Sequence, residues 1–213
     1  MIEILQARWE TLLQSFSIEP ELGQKVFFDL INAYSSADRS YHNLGHIHQV
    51  LETIESLRSL SLDFSATQLA AWFHDVIYNT TAQDNEEKSA EYAESVLISL
   101  KIPQSKIARV KNLILTTKNH QAPSIDIDSH ILLDADLAIL GSSESDYRAY
   151  ARAIRQEYSW VADTEYILGR KRVLQNFLQR DEIYLTHEMF ATLEEKAKRN
   201  LQSEVAILSV NRV

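Results

Sequence analysis

Apolar residues recur every three or four positions along almost the whole chain, and no segment alternates apolar with polar residues long enough to read as a strand. The pattern predicts helices over IEILQARWETLLQSF and ELGQKVFFDLINAY, split by SIEP. In NLGHIHQVLETIESL, Leu44, Ile47, Leu51 and Ile54 fall on one stripe, with Asn43 placed as the N-cap. SATQLAAWFHDVIY, residues 65–78, is expected to be a single helix, opened by Ser65 and Gln68 at capping-box spacing. It is apolar on nearly every side, which places it at the centre of a bundle. NEEKSAEYAESVLISL, SKIARVKNLILTT and SHILLDADLAIL continue the pattern, the last closed by Gly141 just past the helix end. After SSES come DYRAYARAIRQEYSW, TEYILGRKRVLQNFL and a long helix from about Thr186. With four glycines, three prolines, no repeat and no long linker, the expectation is one all-α domain, a helical bundle over residues 1–213. Its functional centre is expected at about 36–141, with helices of about 145–207 packed on it.

Composition narrows the chemistry. The chain has no cysteine, so disulfides and thiolate metal sites are excluded. Its net charge of −9, from 21 basic and 30 acidic residues, argues against extended nucleic-acid binding, which needs a basic face. A small phosphorylated substrate remains compatible if a cation neutralises it locally. No apolar run is long enough for a transmembrane helix, and the acidic start MIEILQARWE does not read as a signal peptide, so a cytoplasmic protein is expected. Six of the seven histidines lie between His42 and His130.

His74 and Asp75 sit side by side in the apolar run WFHDVIY, where charge is costly unless compensated. A hydrogen-bonded buried pair would meet that cost; so would a cation held jointly with imidazole or carboxylate ligands from other helices. Asp136 is a candidate third ligand: Leu132, Leu133, Ile139 and Leu140 stand three and four residues away on its helix. Asp134, with His130, Ile131, Leu137 and Ala138 at those offsets, is in a milder setting. His46, just off the apolar stripe of its own helix, is a candidate fourth.

The order His46, His74–Asp75, Asp136 resembles the HD superfamily of metal-dependent phosphohydrolases, in which a histidine, a His–Asp doublet and a later aspartate bind a divalent metal. RSYHNLGHI (39–47), AAWFHDVIY (70–78), DNEEKSA (84–90), LLDADLAILG (132–141), IRQEY (154–158) and KRNL (198–201) look like a bacterial branch of that superfamily. The resemblance therefore spans nearly the whole chain. It implies an HD-type bundle with His46, His74, Asp75 and Asp136 as metal ligands, and the ADL context selects Asp136 over Asp134. The implied cofactor is a divalent ion (Mn, Co, Ni, Zn, Fe or Mg), with imidazole donors leaning away from Mg.

One position departs from the pattern. Where several HD enzymes carry an acid at HDxxE, this chain has Tyr78 followed by Asn79, which speaks against guanosine-tetraphosphate hydrolysis. Asp75 and, in the acidic segment after Asp84, Glu86 and Glu87 are the catalytic candidates; the same acids would also suit a helix N-terminus. Arg39 and His42 are candidate phosphate contacts, and His120 a candidate substrate contact or extra ligand. His130 is six residues from Asp136, about 120° away around one helix, and is a poor co-ligand. Arg148, Arg152 and Arg155 read as a solvated stripe. The expected activity is hydrolysis of a phosphate ester, such as a nucleotide or related metabolite, by metal-activated water. The alternatives are a di-iron oxygenase of the same fold and a non-catalytic nucleotide-binding module. A second copy of the chain is the one protein partner in view, as a homodimer.

Overall fold

The computed structural model describes residues 1–210, and among them every regular element is helical. The order is α1 (Ile2–Gln14), α2 (Pro20–Tyr34), α3 (Leu44–Ser56), a 3-10 turn (Arg58–Leu60), α4 (Phe64–Phe73), α5 (Asn85–Ser99), α6 (Gln104–Thr117) and α7 (Ile127–Asp136). A 3-10 segment (Leu137–Gly141), α8 (Glu144–Glu157), α9 (Asp163–Leu178) and α10 (His187–Val210) follow. The all-α class expected from periodicity is the one observed. No described helix is long and apolar enough to cross a membrane.

The chain divides into two compact units, Met1–Ala135 and Asp136–Val213. One domain was expected, with its functional centre at about 36–141 and the later helices packed on it. The boundary between the units lies just before the 3-10 segment because that segment packs with α8 and α10. Tyr184 donates its hydroxyl to the Leu137 carbonyl (3.1 Å), and the Asn200 amide donates to the carbonyls of Leu140 and Ser142 (2.9 and 3.1 Å). Gly141 is not a left-handed cap: a Cβ there would lie 2.6 Å from Leu193 Cβ, so it is glycine because α10 passes too close for anything larger. The second unit also buries an Arg170–Glu204 ion pair (2.8 Å) to which Tyr147 donates its hydroxyl (2.5 Å). Burial, reinforced by the Glu204 carboxylate, pushes the Tyr147 phenol well above its ordinary pKa.

In the first unit α4 is central, packing against α3, α5 and α6 with seven of its ten residues buried. Trp72 meets Trp9 and Phe27 edge-on, with ring centroids 5.4 and 6.2 Å apart. Asn43 caps α3 as its sequence suggests, accepting from the Gly45 N–H (2.8 Å), and Leu44, Ile47, Leu51 and Ile54 are all buried.

The expected helix over 65–78 is not observed. The N-cap is Asp63 rather than Ser65, its carboxylate accepting from the Ala66 N–H (3.1 Å). The other end stops five residues early, at Phe73, with no glycine or proline to stop it. A helix end leaves four carbonyls to satisfy, and here each has a named donor. Ala70 accepts from the His74 N–H (2.8 Å), Ala71 from the His74 ring (2.9 Å), Trp72 from the Tyr34 hydroxyl (3.0 Å) and Phe73 from the Val76 N–H (3.1 Å). The carbonyls of Asp75 and Val76 go to Arg39, at 2.6 and 2.9 Å. Ser89 of α5 both receives the Ile77 N–H and donates to the Ile77 carbonyl (3.1 and 3.2 Å). Tertiary donors end this helix.

The opposite end of α4 is held by ionic side chains. The buried carboxylate of Asp128, in the first turn of α7, accepts from the Ser61 hydroxyl (2.6 Å) and from the N–H groups of Leu62 and Asp63 (2.9 and 3.1 Å). Arg109 of α6 bridges Asp126 and Asp128, and Lys106 of the same helix reaches Asp63 and Ser65. The Arg109 guanidinium, helped by Ser129, holds the Asp126 carboxyl far below the ordinary carboxylate range. A depressed folded-state pKa means that the unfolded chain binds the proton first as pH falls. This stabilisation is therefore full at neutral pH and is lost progressively from about pH 4 downward. Melting temperature against pH for Arg109→Met should show a shallower acid limb than the parent; parallel limbs would remove the pair from the pH response.

Candidate metal centre

The doublet stands at the end of α4, with His74 still in helical backbone angles. Neighbouring residues on a helix point about 100° apart, yet the tips of these two side chains converge. His74 Nε2 is 3.3 Å from Asp75 Oδ2 and 3.3 Å from His46 Nε2, and His46 Nε2 is 3.8 Å from Asp75 Oδ2. Asp136 closes α7, whose other residues belong to the first unit. His46, His74 and Asp136 each offer one ligand atom, and the three atoms lie within 4.8 Å of one another. Both imidazoles are almost fully buried; the Asp75 side chain is 16% exposed.

The donor set fits a cation. A backbone carbonyl can only accept, so the contact between His74 Nδ1 and the Ala71 oxygen places a proton on Nδ1 and turns Nε2 toward the cluster. That nitrogen faces a carboxylate oxygen and a second imidazole nitrogen at 3.3 Å, close enough to share a proton or a cation. Such a convergence repels unless a proton or cation lies among the atoms. A histidine oriented through its second nitrogen by a carbonyl is also the usual arrangement for metal-bound imidazole. The cluster of His46, His74 and Asp136 could hold a metal ion, with Asp75 beside it.

The remaining candidates are placed as follows. Arg39 is buried, and besides Asp75 and Val76 its guanidinium donates to the His42 carbonyl (3.1 Å), lying over the rings of Tyr34 and Tyr78. The candidate phosphate contact Arg39 braces the turn that carries the doublet. His42 is half-buried, its ring 4.3 Å from that of Tyr78 and 5.7 Å from that of His46. Tyr41 lies 5.0 Å from both His42 and His46. This aromatic wall was not read from the sequence, although Tyr41 and His42 lie inside RSYHNLGHI and Tyr78 inside WFHDVIY.

Glu86 and Glu87 occupy the first turn of α5, as acids at a helix N-terminus do. Glu87 is ion-paired with Lys118, which holds its carboxyl below the ordinary value and makes it a weaker base. His120 follows α6 in a left-handed backbone conformation (φ 48°), and neither it nor the two glutamates belong to the three-residue ligand group. Asp134 and Asp136 reverse the expected order of burial: Asp134 is completely buried and Asp136 only partly so. The helix ends at Asp136, so Ile139 and Leu140 no longer follow it on an α-helical face. A cavity of about 580 Å³ in the second unit, lined by residues of α8, α9 and α10, contains none of the candidate residues.

The fold and cluster define an all-α protein with a candidate His/Asp metal centre. Comparison with family models, curated proteins and solved structures finds no match.

Proposed function

We propose that the protein is a metal-dependent phosphohydrolase of the HD type, acting on a small phosphate ester such as a nucleotide or related metabolite. One observation carries the reading: His74 Nε2, oriented through the Ala71 carbonyl on Nδ1, is turned into the space shared with His46, Asp75 and Asp136. The order and sequence context of these four residues, which resemble the HD superfamily, support it independently. His46, His74, Asp75 and Asp136 would hold the ion. A bound divalent cation would supply Lewis acidity, polarising a phosphoryl oxygen and making water a nucleophile near neutral pH.

The chain's own groups do the rest. Arg39 holds the turn so that His74 and Asp75 face the same way. Tyr41, His42 and Tyr78 form a wall beside His46 that limits water access. Asp75, more exposed than the two imidazoles, marks the side from which substrate approaches and is the carboxylate best placed to accept a proton there. Tyr78 at the HDxxE position and Lys118 on Glu87 leave the motif without its usual free acid, which favours a nucleotide-binding module as the second reading.

Chelator-treated protein reloaded with Mn²⁺ or Co²⁺ should bind close to one ion per chain and hydrolyse at least one ester in a panel of phosphorylated metabolites. Activity should disappear with chelator and return with metal. Ion binding and nucleotide binding without turnover would establish the second reading, and no ion uptake by folded protein would overturn the metal centre.

A further inference from the structure

We infer that the ionic network around Asp128 is a register clamp, and that Asp128 and Arg109 are positioning residues for the metal ligands, which they do not touch; the inference rests on the metal centre proposed above. Two helices carry those ligands. α4 begins after Asp63 and delivers His74 as the residue following its last turn; α7 begins after Asp126 and delivers Asp136 as its last residue. Both helices are ten residues long. Their N-terminal ends are joined to each other: the Asp128 carboxylate takes the hydroxyl of Ser61 and the N–H groups of Leu62 and Asp63. α6 locks the joint from the side, with Arg109 bridging Asp126 and Asp128 and Lys106 holding Asp63 and Ser65. The two helices are thus pinned together at their starts, and their C-terminal ends bring His74 and Asp136 to within 4.8 Å.

The physical content lies in what such a joint fixes. An α-helix is stiff along its axis, so the position of its first turn is passed to its last. Asp63 lies about 16 Å from His74 along α4, and Asp128 about 12 Å from Asp136 along α7, at 1.5 Å per residue. Apolar packing restrains a helix through shape, and small shifts can be absorbed by side-chain adjustment. Hydrogen bonds to a single buried carboxylate add a directional restraint, and a shift of even one residue would break all of them. A one-residue slip moves a ligand by about 1.5 Å, well beyond the roughly 0.5 Å within which a coordination set must be held. Burying Asp128 carries a desolvation cost that an apolar residue would avoid. The register it specifies is what the cluster needs.

The test uses the full-length chain and Co²⁺ as a probe, because its visible absorption reports both affinity and ligand geometry. Asp128→Asn keeps the shape and weakens the acceptor; Arg109→Lys keeps the charge but loses the planar fork that grips Asp126 through two nitrogens while reaching Asp128. Leu97→Ala, a buried α5 position outside the network, supplies a comparison that lowers stability alone. Asp128→Asn and Arg109→Lys should weaken Co²⁺ binding on the order of tenfold, the low end for changes outside the ligand shell, and should alter the visible bands. Leu97→Ala should keep both affinity and spectrum at an equal or larger fall in melting temperature. If Asp128→Asn does not fold, Arg109→Lys decides. Clamp variants that match the parent in affinity and spectrum, while the parent binds Co²⁺, would overturn this inference and leave the metal centre standing. Folded parent that takes up no Co²⁺ would overturn the metal centre, and the clamp with it.

Discussion

Replacing Asp136 by alanine should abolish stoichiometric metal binding, whereas Asp134→Asn, two residues earlier on the same helix, should keep it and lower the melting temperature instead. Two residues on an α-helix point about 200° apart, so both cannot face one ion. Asp136 supplies an atom to the group shared with His46 and His74. Asp134 is completely buried and outside that group. Loss of a ligand should cost more than the roughly 10–100-fold that changes beyond the ligand shell cost. Neutralising a buried carboxylate that has a partner costs roughly 1–3 kcal/mol, and for a chain of this length each kcal/mol lowers the melting temperature by about 2–4 °C. Metal content by elemental analysis and melting by circular dichroism on the two purified variants check both halves. Retention of the ion by Asp136→Ala together with its loss from Asp134→Asn would reverse the assignment.

Arg39→Met should be the most damaging change outside the ligands, and the damage should appear first in stability. The guanidinium donates to the carbonyls of His42, Asp75 and Val76, and two of these belong to the turn that orients the doublet. Hydrogen bonds to a charged group are worth about 1.5–3 kcal/mol each. Some of the stranded carbonyls will find water, so a net loss of roughly 2–4 kcal/mol is expected. Because the same bonds shape the turn after α4, metal affinity should fall with stability, even when measured well below the melting transition. A residue that only met phosphate would instead raise KM and leave both melting and metal content unchanged. Thermal melting with and without Mn²⁺ separates the two roles.

Much of this protein was legible from the sequence. The helices follow from apolar spacing alone, with boundaries within two or three residues for most of them, because an amphipathic stripe must be buried wherever it occurs. The Asn43 cap and the central place of α4 followed from residue type and from the absence of a polar face. His46, His74 and Asp136 were picked out by an ionisable group standing in apolar surroundings and by the words around them. That cue points to a residue because burying charge without compensation is costly.

Other features were decided only by tertiary contacts. The end of α4 carries no glycine or proline; it is made by Tyr34, Arg39 and Ser89, which lie 38, 36 and 12 residues along the chain from the groups they satisfy. His74, the first residue past that end, keeps helical backbone angles, and its ring meets the Asp75 carboxylate at 3.3 Å. The role of Arg39 could not be read locally either, because guanidinium chemistry suits a carbonyl as well as a phosphate and only position chooses between them. Asp134 and Asp136 exchanged their expected burial because α7 stops at Asp136 and the chain tightens into a 3-10 segment. The sequence by itself determined that the protein is helical and which few residues can carry metal chemistry, since those depend on short-range periodicity and side-chain type. Tertiary structure decided where the critical helix stops and which donors hold it there, because those depend on hydrogen bonds between residues that are distant in the chain.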